Sequence, residues 1–137
     1  MFEDWENFLN NSVQSVHLVD EDGVIRWAND VELRALGYTR DEYVGRHIGD
    51  VHVDADVIAA ILTLLTSGSS LVAYPARLRA KDGRIKHVMI NSNVFRKAGE
   101  FVHTRCFTTE VSESVYSALR DECGPAASPL SVRPEAG

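Results

Sequence analysis

"GYTRDEYVG", Gly37 to Gly45, sets two glycines and two tyrosines around room for a single helical turn. Thr39 with Glu42 three places on is a capping box. The threonine hydroxyl accepts from the glutamate's backbone N–H, and the glutamate carboxyl reaches back to the threonine's. Tyr38 and Tyr43 are spaced as the two ends of a hydrophobic staple. Gly37 and Gly45 sit where a helix before and the helix within would each stop. A helix this short does not hold by itself in water, so its punctuation must serve the structure around it.

Upstream, "SVHLVDEDGVIRWAN" (Ser15 to Asn29) is two β-rich runs joined by a hairpin signal centred on Asp22-Gly23. Asn29 reads as the N-cap of a short helix with Glu32 at its third position, stopped by Gly37. Downstream, "RHIGDVHVD" has no clear period. Asp54 is expected to cap "ADVIAAILTLLTS", a helix ended by Gly68 whose Val57, Ile58, Ile61, Leu62, Leu64 and Leu65 form a wide apolar face. From Ser69 onward the period changes to two, and three strands follow. Asp82-Gly83 turns the first pair and Lys97-Ala98-Gly99 the second. Pro75 places its strand at an edge or at a bulge. Ser112 opens a last helix, which Gly124-Pro125 stops. All strand turns are tight, so the sheet is antiparallel. The helices between the second and third strands must cross one face, giving an α+β domain.

The ends read differently. Phe2, Trp5, Phe8 and Leu9 form one apolar stripe on a predicted N-terminal helix over 1–12. That stripe either folds onto its own domain or forms a dimer interface. The body spans 13–113, a C-terminal helix 114–123, and 124–137 is a Pro/Ala/Ser tail expected to be unstructured.

Composition narrows the function. A formal charge of −6 argues against nucleic acid, which requires clustered Lys and Arg. No stretch approaches the roughly 20 apolar residues of a membrane helix, and the acidic "MFEDWENF" start is unlike a signal peptide. A cytoplasmic location is expected. Two cysteines, Cys106 and Cys123, form no CxxC, and His47 and His52 lack metal-site spacing, so no metal is expected. Asp20, Asp22 and Asp30 are explained by turns and caps. No catalytic constellation is visible, and an enzyme is not expected.

Four pieces in order carry a resemblance: "VDEDGVIRWAN", "LGYTRDEYVG", "KDG" at Lys81 to Gly83, and "EVSE" at Glu110 to Glu113, where Asp-Ile-Thr-Glu is common. From about Val13 to Glu113 the chain resembles a PAS domain. The resemblance implies a five-stranded sheet in the order 2-1-5-4-3, with short helices over one face bracketing an interior pocket, and flanking terminal helices. Short, separately capped helices can arch around a volume that one long helix would fill. By similarity to flavin-binding members, one alternating set on each strand faces that pocket. It comprises His17 and Val19; Ile25 and Trp27; Tyr74, Ala76 and Leu78; Val88, Ile90, Ser92 and Val94; and Val102, Thr104, Cys106 and Thr108. The expected ligand contacts among these are His17, Trp27, Tyr74, Leu78, Val88, Ile90, Ser92, Thr104, Cys106 and Thr108. Small residues there mean either a cavity or a closely packed helix.

The resemblance names no cofactor. Ile48 holds the position of the reactive cysteine of blue-light members, so no flavin–thiol adduct forms there. Trp27 could stack on a non-covalent flavin. A haem would find only His52, just before the long helix, as axial donor. A small organic ligand is the expected guest. Glu110, Val111, Ser112 and Glu113 resemble the motif that hands the signal to the last helix. The expected function is therefore a sensory signalling module, relaying through its terminal helices to a homodimer partner. Gly124-Pro125 and a tail without periodicity end the chain, so it is expected to be either a sensor module excised from a longer protein or a single PAS domain acting on an effector protein in trans, which the natural-looking Met1 favours. The alternative is a ligand-free interaction or dimerisation module.

Overall fold

The computed structural model describes residues 3–123 and 132–134. Asp4 caps α1 (Trp5–Asn10), its carboxylate accepting from the Asn7 N–H. The hairpin of β1 (Ser15–Val19) and β2 (Ile25–Ala28) turns at Gly23, whose φ of +86° suits glycine. Asn29 then ties three elements together. Its Oδ1 accepts from the N–H groups of Glu32 and Val16, and its amide donates to the carbonyls of Leu9 and Gln14. That single buried side chain starts α2 (Asp30–Leu36), anchors β1 and fixes the end of α1.

The capping box forms at α3 (Arg40–Tyr43): the Thr39 N–H donates to Glu42 at 2.8 Å and the Glu42 N–H to the Thr39 hydroxyl at 3.3 Å. Tyr38 and Tyr43 meet with ring centroids 5.5 Å apart. Arg40 donates to the Ala28 carbonyl and the Asp30 carboxylate, so α3 is tied to what precedes it. Replacing Thr39 with alanine is expected to cost about 1 kcal/mol, the usual worth of a cap. A urea midpoint unchanged by that substitution would show the box to be dispensable.

A 3-10 turn (Ile48–Val51) resolves the stretch without a period and leads to α4 (Ala55–Thr66). Asp54 stands at the N-cap of α4 but does not cap it. Its carboxylate is taken instead by Arg77, in two bonds of 2.7 and 2.9 Å. A bidentate guanidinium partner is stronger than one backbone N–H.

Strands β3 (Ser69–Arg79), β4 (Ile85–Lys97) and β5 (Glu100–Glu110) complete an antiparallel sheet ordered β2-β1-β5-β4-β3, as expected. The register shifts between Leu71 and Tyr74, where Ala73 takes φ +50°, so Pro75 follows a bulge on the outermost strand of the five. A sixth strand, β6 (Val132–Pro134), pairs with Ser69–Leu71. The expectation of an unstructured tail fails at these three residues, because an edge strand offers backbone groups that need no apolar partner. The rest of that tail lies outside the described residues.

Helices α2, α3 and α4 cover one face. Val57, Ile58, Ile61 and Leu65 of α4 join Tyr74, Ala76, Leu78, Val88 and Ile90 in one packed cluster. The terminal helices take the other face. Trp5 of α1 meets Trp27 edge-on at 4.9 Å, and Tyr116 of α5 (Glu113–Cys123) meets His87 in the same way. Among the described residues, no helix is long and apolar enough to cross a membrane.

Candidate functional site: a buried polar cluster on the inward face

Alternation places His17, Ser92, Thr104, Cys106 and Thr108 inward, where each is more than nine-tenths buried. Tyr74, Leu78, Val88 and Ile90 share that face as core residues. Trp27 does not. A register shift between Leu18 and Val19 pairs Trp27 with Leu18, and its ring lies on the outward face against Trp5. The expected contact by Trp27 is therefore corrected. Val102 is likewise 39% exposed, because a shift between Phe95 and Arg96 reverses the alternation and turns the half-buried Phe101 against the edge of the core.

The centre of the cluster is a residue that sequence reasoning treated only as a helix position. Glu32, 1% exposed, turns inward from α2. Its carboxyl accepts from the Tyr43 hydroxyl at 2.7 Å and lies 3.0 Å from His17 Nδ1, with the Ser15 hydroxyl at 3.4 Å. One side chain thus joins β1, α2 and α3. The signal was present: Glu32 stands four residues before Leu36, on the stripe that α2 must bury.

Burial alone would push the His17 imidazole down, but the Glu32 charge and the Cys106 sulfur raise it well above its ordinary value. Burial alone would likewise raise the Cys106 thiol. The positive imidazole and the hydrogen bonds that the thiol shares with His17, Ser92 and Thr104 bring it below its ordinary value. The sulfur lies 2.9 Å from Ser92 Oγ and 3.1 Å from Thr104 Oγ1. Thr104 Oγ1 also accepts from the Val19 N–H. Burial raises the Tyr43 phenol, and Glu32 adds to it. Among the described residues, two buried side-chain polar atoms lack a protein partner: Thr108 Oγ1 and His52 Nδ1. Thr108 lines a hollow of about 50 Å³ with Ser15, Glu32, Leu36, Lys86 and Val88.

This arrangement does not fit a flavin. The expected stacking residue faces away, Ile48 is a buried core residue, and α4 belongs to the same packed cluster as the central strands.

The expected relay segment leaves β5 in register with β4. Glu110 pairs with Lys86 at 3.3 Å, the Val111 N–H donates to the His87 carbonyl, and the Ser112 hydroxyl accepts from the Val115 N–H to start α5. Glu113 is the first residue of that helix. Arg77, besides holding Asp54, interacts with Tyr116 of α5, and Arg120 acts on Asp54. Trp5 and Phe8 are 54% and 61% exposed, and Leu9 is half-buried. Phe2 lies outside the described residues. On the outward face, Trp5, Leu9, Val16, Leu18 and Phe107 line a mainly apolar groove of about 190 Å³.

Comparison with known proteins agrees with this topology. The PAS domain of an HTR-like protein from Haloarcula marismortui superposes with a TM-score of 0.67 at 22% identity, over 77% of this chain and 88% of that one. The LOV domain of the blue-light photoreceptor Aureochrome1 gives 0.71 at 21% identity, over 89% and 94%. The PAS domain of nitrogen regulation protein NR(II) from Vibrio parahaemolyticus gives 0.63 at 16% identity, over 80% and 100%. At these identities the likeness shows the fold. The family model described as the PAS fold matches residues 3–110, and the chain belongs to the PAS family.

Proposed function

We propose that the chain is a sensory signalling module. A small polar guest enters on the inward face, and the terminal helices carry the state to a second copy or to an effector protein. The observation that carries this reading is Glu32. It borders the hollow, and it is also the link between the sheet and two of the short helices. A guest bonding to the orphaned Thr108 hydroxyl would sit beside that link, and binding would favour one arrangement of the short helices over another. Occurrence of this fold in a nitrogen regulation protein and a blue-light photoreceptor supports the sensory part.

The test is a thermal-shift screen of small acids, alcohols and amines, with mass spectrometry of an extract of the purified protein. Thr108→Val keeps the volume and removes the hydroxyl. It is expected to abolish the response while leaving stability unchanged or raised, since an unmade buried bond is lost. A response equal in both proteins, or none in either, would count against an internal guest.

The second reading, a ligand-free interaction module, is favoured by the outward groove and by the way Ser92, Cys106 and Thr104 satisfy one another. Both readings place a partner copy against α1. Phe8→Glu is expected to turn a dimer into a monomer in sedimentation with little change in melting temperature, because Phe8 contributes little to its own core. A wild-type chain that sediments as a monomer would remove α1 as the dimer contact.

A further inference from the structure

We propose that Cys106 is a modification site for hydrogen peroxide and similarly small hydroperoxides, with His17 as proton donor and Glu32 as the residue that orients His17. The geometry is that of an activated nucleophile: a sulfur, an imidazole beside it, and a carboxyl on the imidazole's other side. His17 pairs with Cys106 across β1 and β5, and His17 Nδ1 lies 3.0 Å from Glu32. Ser92 and Thr104 bring hydroxyls to the same sulfur. Thr104 Oγ1 accepts from both the Val19 N–H and the Cys106 thiol, and once that thiol is deprotonated the Thr104 hydroxyl proton is free to turn to the sulfur. Deprotonated, the sulfur would have an imidazole and two hydroxyls beside it, each able to donate. Such a cradle favours the thiolate, the reactive form. The titratable groups facing His17 are Glu32 of α2, Cys106 of β5 and His52 ahead of α4, which is held neutral partly by the His17 charge. Tyr43 of α3 faces the same carboxyl.

An independent feature points to the reactant. The hollow beside the cluster, about 50 Å³, has room for about two or three water-sized molecules. A hydroperoxide fits where a flavin or haem does not. Thr108, which lines it, is buried and has no partner for its hydroxyl. It lies two residues from Cys106 on the same face of β5, about 7 Å along the strand. Cys106 does not itself line the hollow, so a peroxide held at Thr108 reaches the sulfur by moving one residue pair inward along β5.

The reaction balances without a further reagent. The thiolate attacks one peroxide oxygen, the S–O bond forms and the O–O bond breaks. The departing hydroxide takes the His17 proton and leaves as water. Cysteine is oxidised by two electrons to the sulfenic acid, and the peroxide is reduced by two. Afterwards His17 is neutral, and Glu32 has lost the positive partner that held it between β1 and α3. This gives the sensory reading a chemical input and rests on it for the output. The chemistry itself is measured separately.

The sequence holds two cysteines, so Cys123→Ser leaves Cys106 as the only thiol. In that protein, peroxide oxidation is followed by dimedone trapping and mass spectrometry between pH 5.5 and 9. The expected fall in rate with acidification is clearly shallower than that of an ordinary thiol of pKa about 8.5, which slows roughly tenfold for each unit. His17→Gln, with folding checked by circular dichroism, is expected to restore the ordinary slope and to slow the pH 7 reaction at least about tenfold. Because His17→Gln could fail to fold, the profile of the Cys123→Ser protein decides by itself. A profile with the ordinary slope, or no sulfenic adduct at Cys106 in folded protein while urea-unfolded protein reacts, would overturn the proposal. Neither result touches guest binding measured by thermal shift.

Discussion

Glu32→Ala is expected to destabilise the domain by about 3–5 kcal/mol, the range for removing one partner of a buried ion pair. The cost is large because the substitution orphans several groups together. His17 keeps a buried positive ring without its carboxyl, and the Tyr43 hydroxyl loses its acceptor. Glu32→Gln keeps the shape and part of the bonding, so its cost should be clearly smaller. Urea denaturation measures both. The informative companion is the His17 ring followed by NMR titration. With Glu32 gone, burial is opposed only by the sulfur, and the imidazole should fall sharply from its raised value. A His17 titration unmoved by Glu32→Gln would mean that the carboxyl is not what holds the imidazolium, and the site would need another explanation.

Acid is the second strong perturbation. Burial, and then the positive His17, hold the His52 imidazole down to about 3, with Asp54 opposing weakly. A histidine depressed in the folded state is neutral when native and takes up a proton on unfolding. Its contribution is therefore complete above about pH 6.5 and shrinks as pH falls towards 3. One proton corresponds to about 1.4 kcal/mol per pH unit. The expected loss between pH 6.5 and 4.5 is thus about 2–3 kcal/mol, an upper bound because the residue keeps some exposure. Asp20 and Asp54, whose carboxyls are lowered, lose their contributions further down, below about pH 4. His17 works in the opposite sense. Its raised value gives a contribution that is complete below about pH 6.5 and is lost as pH rises through its folded value. Urea midpoints at pH 6.5, 5.5 and 4.5 test this, with His52→Asn expected to flatten the slope. Equal slopes in the two proteins would assign the acid sensitivity to other groups.

What was legible from residues alone was whatever local chemistry decides. The Thr39–Glu42 box, the Asn29 cap, the Gly23 turn and the even spacing of β3 to β5 each involve neighbours within four places, and the order of the strands followed from tight turns and the family resemblance. Departures occurred where a distant group competes. Asp54 was expected to cap α4, but Arg77, on β3, offers a better partner. Trp27 and Val102 were assigned by unbroken alternation, and each stands beyond a register shift that moves its side chain to the other face. Glu32 looked like part of a helix start because its partner His17 is fifteen residues away on a different element. β6 was missed because pairing at an edge depends on backbone groups common to every residue.

Arg77 has a mechanical consequence. Its guanidinium holds Asp54 at the head of the long helix, while the same side chain interacts electrostatically with Tyr116 of the terminal helix on the other face. A tilt of the first helix would therefore move a guanidinium that also acts on the second. The sheet is a wall between the two compartments, and this arginine is a crank passing around its rim.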